Sequence, residues 1–94
     1  MTQGFVDWFG ASGSSDEDER LAALYDLDFP HGPSAAIDWF RGLAQLTGGP
    51  VLELGVGTGR VAIPIAKDGY EVVGIDRSKA MLARATRHAK AARA

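Results

Sequence analysis

The sequence contains no cysteine and only two histidines among its 94 residues. The lack of cysteine excludes disulfides, thiolate metal sites and cysteine nucleophiles. His31 and His88 lie far apart in the chain and show no metal-ligand spacing, so the sequence predicts no metal site. We expect His31 to be a loop residue and His88 to face solvent on a basic helix.

The sequence also lacks a long hydrophobic run. No apolar stretch approaches the roughly 18 residues of a membrane span. The N-terminus, Met1-Thr-Gln-Gly-Phe5, has no basic region followed by an apolar core, so it does not resemble a signal peptide. These absences predict a soluble cytoplasmic protein with no membrane partner, and the length allows at most one domain.

Charge is divided unevenly along the chain. Residues 1–47 carry eight acids against two bases, whereas residues 48–94 carry eight bases against four acids. A basic half could offer a face to an anionic partner. However, most of these bases fall on one predicted helix without interleaved aromatic residues, so we expect no nucleic-acid partner.

The chain divides into three predicted segments. Residues 1–15 form a flexible N-terminal segment, because residues 10–15 are all glycine, serine or alanine. Residues 16–49 form a cap of two helices that begin after Ser15 and Ser34. The second helix has an apolar stripe that we expect to face the core, formed by Ile37, Phe40, Leu43, Ala44 and Leu46.

Residues 50–94 predict the order strand, helix, strand, helix. The strands fall at 51–54 and 71–75, and the helices at 60–67 and 79–93. This order implies parallel strands joined by a right-handed crossover, which is half of a doubly wound sheet. The predicted fold class is therefore α/β, with N-terminal helices before a βαβα unit and the strand at 51–54 buried.

The turn after the first of these strands carries three alternate glycines, Gly55, Gly57 and Gly59. A glycine turn lets bare backbone approach a ligand, because no Cβ stands in the way. The second strand ends in Asp76, whose carboxylate could accept from sugar hydroxyls. Together they predict a pocket for an adenosine-containing cofactor.

Two well-known phosphate loops fit this turn poorly. The nicotinamide or flavin fingerprint requires a third small residue where this chain has Arg60. A P-loop requires a lysine followed by serine or threonine, and the turn contains no lysine.

The segment Glu53-Leu-Gly-Val-Gly-Thr-Gly59 resembles the first motif of class I (Rossmann-like) S-adenosylmethionine-dependent methyltransferases. The resemblance extends through Asp76 to the segment 78–82, and Tyr25-Asp26 is similar to the N-terminal cap of that family. It implies that residues 50–94 are the first half of an S-adenosylmethionine-binding domain.

The resemblance also assigns roles to residues of the turn. Glu53 would lie near the methionine amine, Asp76 would accept from both ribose hydroxyls, and Arg77 with Met81 would border the adenine. Glu53 and Asp76 could instead be structural acids of the turn, and Met81 and Tyr25 could be core residues. The predicted cofactor-binding residues are Tyr25, Glu53, Leu54, Gly55, Val56, Gly57, Thr58, Gly59, Asp76, Arg77 and Met81.

The resemblance covers only part of a seven-stranded domain, and no catalytic residue can be named. We therefore expect the N-terminal part of a methyltransferase that is inactive as 94 residues, with a small molecule as its methyl acceptor. Two alternatives stay open. One is the NAD-binding half of an oxidoreductase, and the other is a non-catalytic module that self-associates or pairs its open sheet edge with a complementing chain.

Overall fold

The computed structural model describes residues 6–9 and 16–94, with side chains described from residue 17 onward. It confirms the α/β class. The elements in chain order are β1 (Val6–Phe9), α1 (Asp16–Asp28), α2 (Ala35–Thr47), β2 (Val51–Leu54), α3 (Ala62–Lys67), β3 (Val72–Ile75) and α4 (Lys79–Ala92).

The described strands form one parallel sheet in the order β1-β3-β2. Val51 pairs with Val72 and Leu54 with Ile75, so β2 and β3 end level with one another. The predicted strand–helix–strand–helix order from residue 50 onward is confirmed. It brings the glycine turn after β2 and the acid after β3 to the same edge of the sheet.

Strand β1 was not predicted from the sequence, which placed residues 6–9 in a flexible segment. In the structure these residues pair in parallel with β3, from Val6 opposite Val72 to Phe9 opposite Ile75. Valine, tryptophan and phenylalanine favour strands, and β3 otherwise has an unpaired edge. The rest of the predicted flexible segment, residues 1–5 and 10–15, lies outside the described residues, as does the Ser15 cap.

Side-chain caps set the starts of two helices. The Ser34 hydroxyl accepts from the backbone N–H of Ile37 at 3.0 Å, and the Ser78 hydroxyl accepts from that of Met81 at 3.2 Å. Both caps are where the sequence predicts them. Helix α3 begins at Ala62 rather than near residue 60, because the backbone is still left-handed at Gly59.

The core lies between the sheet and helices α3 and α4. Its centre is the fully buried Val72 of β3, packed with Ile65 and Ala66 of α3 and Leu82 of α4. Small alanines on α4 allow the helix to approach the sheet closely. This side of the molecule holds the glycine turn in place.

Large apolar side chains are exposed around the outer edge of the sheet, at β2. We call Phe40 and Leu43 of α2, together with Leu52 and Leu54 of β2, the α2–β2 apolar face. Their side chains are 41%, 38%, 60% and 73% exposed.

This exposure corrects two predictions. Strand β2 is not buried, and only Ile37 and Ala44 of the predicted α2 stripe reach the core. Leu46 is 82% exposed. The physical reason is that β2 is the edge strand of the described sheet, and no described layer covers its outer face.

None of the four described helices is long and apolar enough to cross a membrane.

Candidate functional site

The glycine turn follows β2 directly and is built on left-handed backbone. Gly55, Gly57 and Gly59 have φ angles of 69°, 60° and 86°, which side chains rarely tolerate. The N–H of Val56 donates to the carbonyl of Ile75 at 3.0 Å, which fastens the turn to the end of β3. Gly55 is exposed. Its bare backbone is thus open to a ligand.

Asp76 links the glycine turn to the start of α4. Its Oδ2 accepts from the backbone N–H of Gly57 at 2.8 Å, and its Oδ1 accepts from that of Ser78 at 2.8 Å. A carboxylate offers about four lone-pair positions, so two remain for further donors. The structural role considered for Asp76 is therefore present, and it leaves capacity for two sugar hydroxyls.

Glu53 lies below the turn, on β2, with an unpaired buried oxygen. Its Oε1 is buried and has no hydrogen-bond partner within the described part of the chain. Burial and the nearby negative charge of Asp76 raise the pKa of Glu53 to about 7. A cationic hydrogen-bond donor beside Glu53 would pair with its free oxygen and stabilise the ionised carboxylate.

Tyr25 of α1 lies against the turn. A Cβ placed on Gly57 would be 3.8 Å from the Tyr25 ring, which is ordinary contact distance. The ring also packs at 4.9 Å against Phe29. The cap and the glycine turn are thus neighbours in space.

The other predicted site residues lie in or near the turn and differ in their solvent exposure. Val56, Thr58 and Gly59 are buried, and the side chains of Val56 and Thr58 support the loop from within. Leu54 and Arg77 are exposed and Met81 is half-buried. The fold brings the whole predicted set to one edge of the sheet.

Next to this edge lies a polar cluster that the sequence analysis missed. Asp26 Oδ2 accepts from Arg84 Nε at 2.8 Å and from His88 Nε2 at 2.8 Å. His31 stacks on His88 at 4.0 Å, and its Nε2 lies 3.2 Å from the hydroxyl of Thr58. His88 therefore does not simply face solvent, contrary to the prediction.

Burial raises the pKa of Asp26, but hydrogen bonds from its neighbours, that from His88 foremost, more than offset this and lower it to about 2. Burial, followed by the charge of His88, lowers the pKa of His31. These residues come from α1, the loop after it and α4. In the sequence, Asp26 stood out only as part of the Tyr25-Asp26 pair. The cluster could not be predicted, because linear spacing says nothing about contacts between distant segments.

Comparison with known proteins agrees with this geometry. Residues 51–94 match the family model described as a methyltransferase domain. The 23S rRNA (uracil(1939)-C(5))-methyltransferase RlmD of Shewanella piezotolerans is 42% identical over 57 residues, which are 61% of this chain and 12% of that protein. YqeM of Bacillus subtilis, whose name describes a methyltransferase, is 34% identical over 64 residues, 68% of this chain and 26% of that protein.

The chain thus spans about a quarter or less of the length of these relatives. No solved structure gives a significant match. The matches are to methyltransferases, and nothing in them favours the oxidoreductase or the non-catalytic alternative. Motif, fold and relatives agree: the chain belongs to the class I methyltransferase family and carries a partial methyltransferase domain.

Proposed function

We propose that the chain binds S-adenosylmethionine at the edge formed by the glycine turn and Asp76, as the cofactor-binding part of a methyltransferase. The observation that carries this proposal is the buried, unpaired Oε1 of Glu53 beside a second carboxylate. S-adenosylmethionine presents a positive amine and a positive sulfonium, which two neighbouring acids favour. A dinucleotide would instead bring a negatively charged pyrophosphate, which the same acids oppose.

The remaining residues fit the rest of this cofactor. The free lone pairs of Asp76 suit the two ribose hydroxyls, since its other positions hold the turn in shape. The exposed backbone of Gly55 permits close approach of the methionine portion. Tyr25 lies against the turn, and Arg77 and Met81 would border the adenine. The buried members of the set support the loop. The bound cofactor would supply an activated methyl group, and these residues would bind and orient it.

Isothermal titration of the 94-residue chain tests the proposal. We expect one-to-one binding of S-adenosylmethionine and none of NADH. Glu53→Gln and Asp76→Asn should each weaken binding at least about tenfold, since each removes a charged acceptor. Glu71→Gln is the matched control, because this exposed acid precedes the opposite end of β3. Binding of NADH without S-adenosylmethionine would contradict the proposal.

We propose a small molecule as the methyl acceptor. Three arginines are occupied within the fold, which reduces the basic surface free for RNA: Arg41 pairs with Asp68, Arg60 donates to the Pro30 carbonyl and Arg84 pairs with Asp26. One relative carries a ribosomal RNA substrate in its name. Filter binding of the chain to structured RNA distinguishes a small-molecule acceptor from an RNA acceptor. Salt-sensitive submicromolar binding would favour RNA as the acceptor.

We further propose that the α2–β2 apolar face packs against an additional parallel strand and helix of a methyltransferase domain. Four large apolar side chains are exposed there beside the outer edge of β2, which pairs with no described strand. The relatives are about four to eight times longer than the matched segments, so they have residues to form such a unit. Co-expression with the remainder of a related domain should give a stable complex, and Leu52→Asp should abolish it.

A further inference from the structure

Asp26, His31 and His88 form a cluster of potential metal ligands outside the proposed cofactor site. One ligand atom from each residue lies within 4.8 Å of the others. The three residues come from α1, the following loop and α4, so the cluster exists only in the folded chain. His31 and His88 are the two histidines of the sequence.

The cluster contains an oxygen without a partner. The Asp26 side chain is only 10% exposed, and its Oδ1 forms no hydrogen bond with any described residue. This atom lies 3.8 Å from His31 Nε2. An unsatisfied buried carboxylate oxygen is costly, and it normally has a donor or a metal ion beside it.

We propose that Asp26, His31 and His88 bind a divalent transition-metal ion, with zinc as the best-fitting ion. Two imidazole nitrogens and one carboxylate oxygen are a common three-ligand set for zinc, with water as the fourth ligand. A neutral imidazole offers one nitrogen lone pair to such an ion. This inference does not depend on the proposed cofactor function.

Coordination needs only side-chain movement. Bonds of about 2.0–2.1 Å place tetrahedral zinc ligands about 3.3 Å apart, so the widest pair must close by about 1.5 Å. The lone pairs of the two rings lie in their ring planes, so one ring must turn out of the present stack. His31 can do this, because it lies in a loop and its side chain is 24% exposed.

Arg84 would not block metal binding, because it contacts the other oxygen of Asp26. Its Nε donates to Asp26 Oδ2, whereas the unpaired Oδ1 is the oxygen that faces His31. A carboxylate that bridges a metal and a second donor is an ordinary outer-shell arrangement. Coordination through His88 Nε2 would replace the present 2.8 Å contact of this nitrogen with Asp26 Oδ2 and requires the proton to be on Nδ1.

A bound ion would tie α1 and α4 together next to the glycine turn. His31 already reaches Thr58 within that turn, and Tyr25 precedes Asp26 on α1. Metal binding would therefore stabilise the cap where it meets the turn.

Titration of the metal-stripped chain with Zn²⁺ and Co²⁺ tests the site. We expect a one-to-one complex with a Kd of about 10 µM or tighter, and intense visible absorption from Co²⁺ in a four-coordinate site. His31→Gln and His88→Gln should each weaken binding at least about tenfold. Glu71→Gln should leave it unchanged, because its carboxyl lies outside the cluster.

A second measurement uses the wild-type chain, so its result does not depend on whether the variants fold. Lowering the pH from about 7.5 to about 5.5 protonates histidines and should weaken zinc binding at least about tenfold. Circular dichroism at both pH values establishes that the fold persists. A Kd above about 100 µM, or binding that survives both low pH and loss of both histidines, would overturn the proposal.

Discussion

The two faces of the sheet differ in how completely this chain covers them. On the side of α3 and α4, Val72 is fully buried and Ile65 is 3% exposed. On the α2–β2 apolar face, Leu54 is 73% exposed although it belongs to a strand of the same sheet. The first side is a packed core. The second side is also apolar, but no described element packs against it.

The two sides of the same short strands therefore have different roles. The covered side fixes the carboxyl ends of β2 and β3, and so fixes the glycine turn and Asp76 relative to each other. The open side leaves an exposed apolar area, against which we propose that further domain structure packs. A partial domain can thus hold a well-defined glycine turn while its other face stays exposed.

The largest expected effect compares truncation on the two sides. Ile65→Ala should lower the free energy of unfolding by about 2–4 kcal/mol, because it opens a cavity in a packed core. Leu54→Ala should change it by less than about 0.5 kcal/mol. Urea denaturation followed by circular dichroism gives both values. Equal losses at the two positions would show that the α2–β2 apolar face is covered in solution.

A smaller effect is expected where the covered side meets the site. Asp76→Ala removes the acceptor of two backbone N–H groups, those of Gly57 and Ser78. The free energy of unfolding should fall by about 1.5–3 kcal/mol, the usual range for hydrogen bonds to a charged group. Asp76→Asn keeps one acceptor oxygen and should lose about half as much. If both variants match the wild type in urea, Asp76 does not hold the turn.

The smallest expected effect is a pH dependence at Glu53. Burial raises its pKa from 4.5 to about 7, so the folded chain binds this proton more tightly than the unfolded chain. Stability from this group is fully present below pH 4.5 and is lost as the pH rises towards about 7. We expect a loss of about 1–2 kcal/mol, reduced from the full value by partial solvent screening.

Glu53→Gln is the matched variant for this measurement, since it keeps the shape and removes the titrating proton. Its free energy of unfolding should lack that decline between pH 4.5 and about 7. S-adenosylmethionine should restore part of the wild-type stability at pH 7, because its amine would pair with the ionised carboxylate. A wild-type profile identical to that of the variant would show that Glu53 is not buried as described.

Local chemistry accounts for what could be predicted along the chain. The caps at Ser34 and Ser78 and the left-handed turn at Gly55 follow from properties of single residues and their near neighbours. Burial could not be predicted in the same way. The apolar periodicity of α2 placed Phe40 and Leu43 on a core face, but exposure depends on whether another layer covers that face.

The sequence by itself determined the order of the elements, the glycine turn with its two acids and the family. These features are encoded in short segments, where backbone preference and motif spacing act locally. Only the tertiary structure decided that residues 6–9 add a strand to β3, that one face of β2 lies open, and that Asp26 meets His31 and His88. Such contacts join distant segments, and linear spacing carries no information about the packing that brings them together.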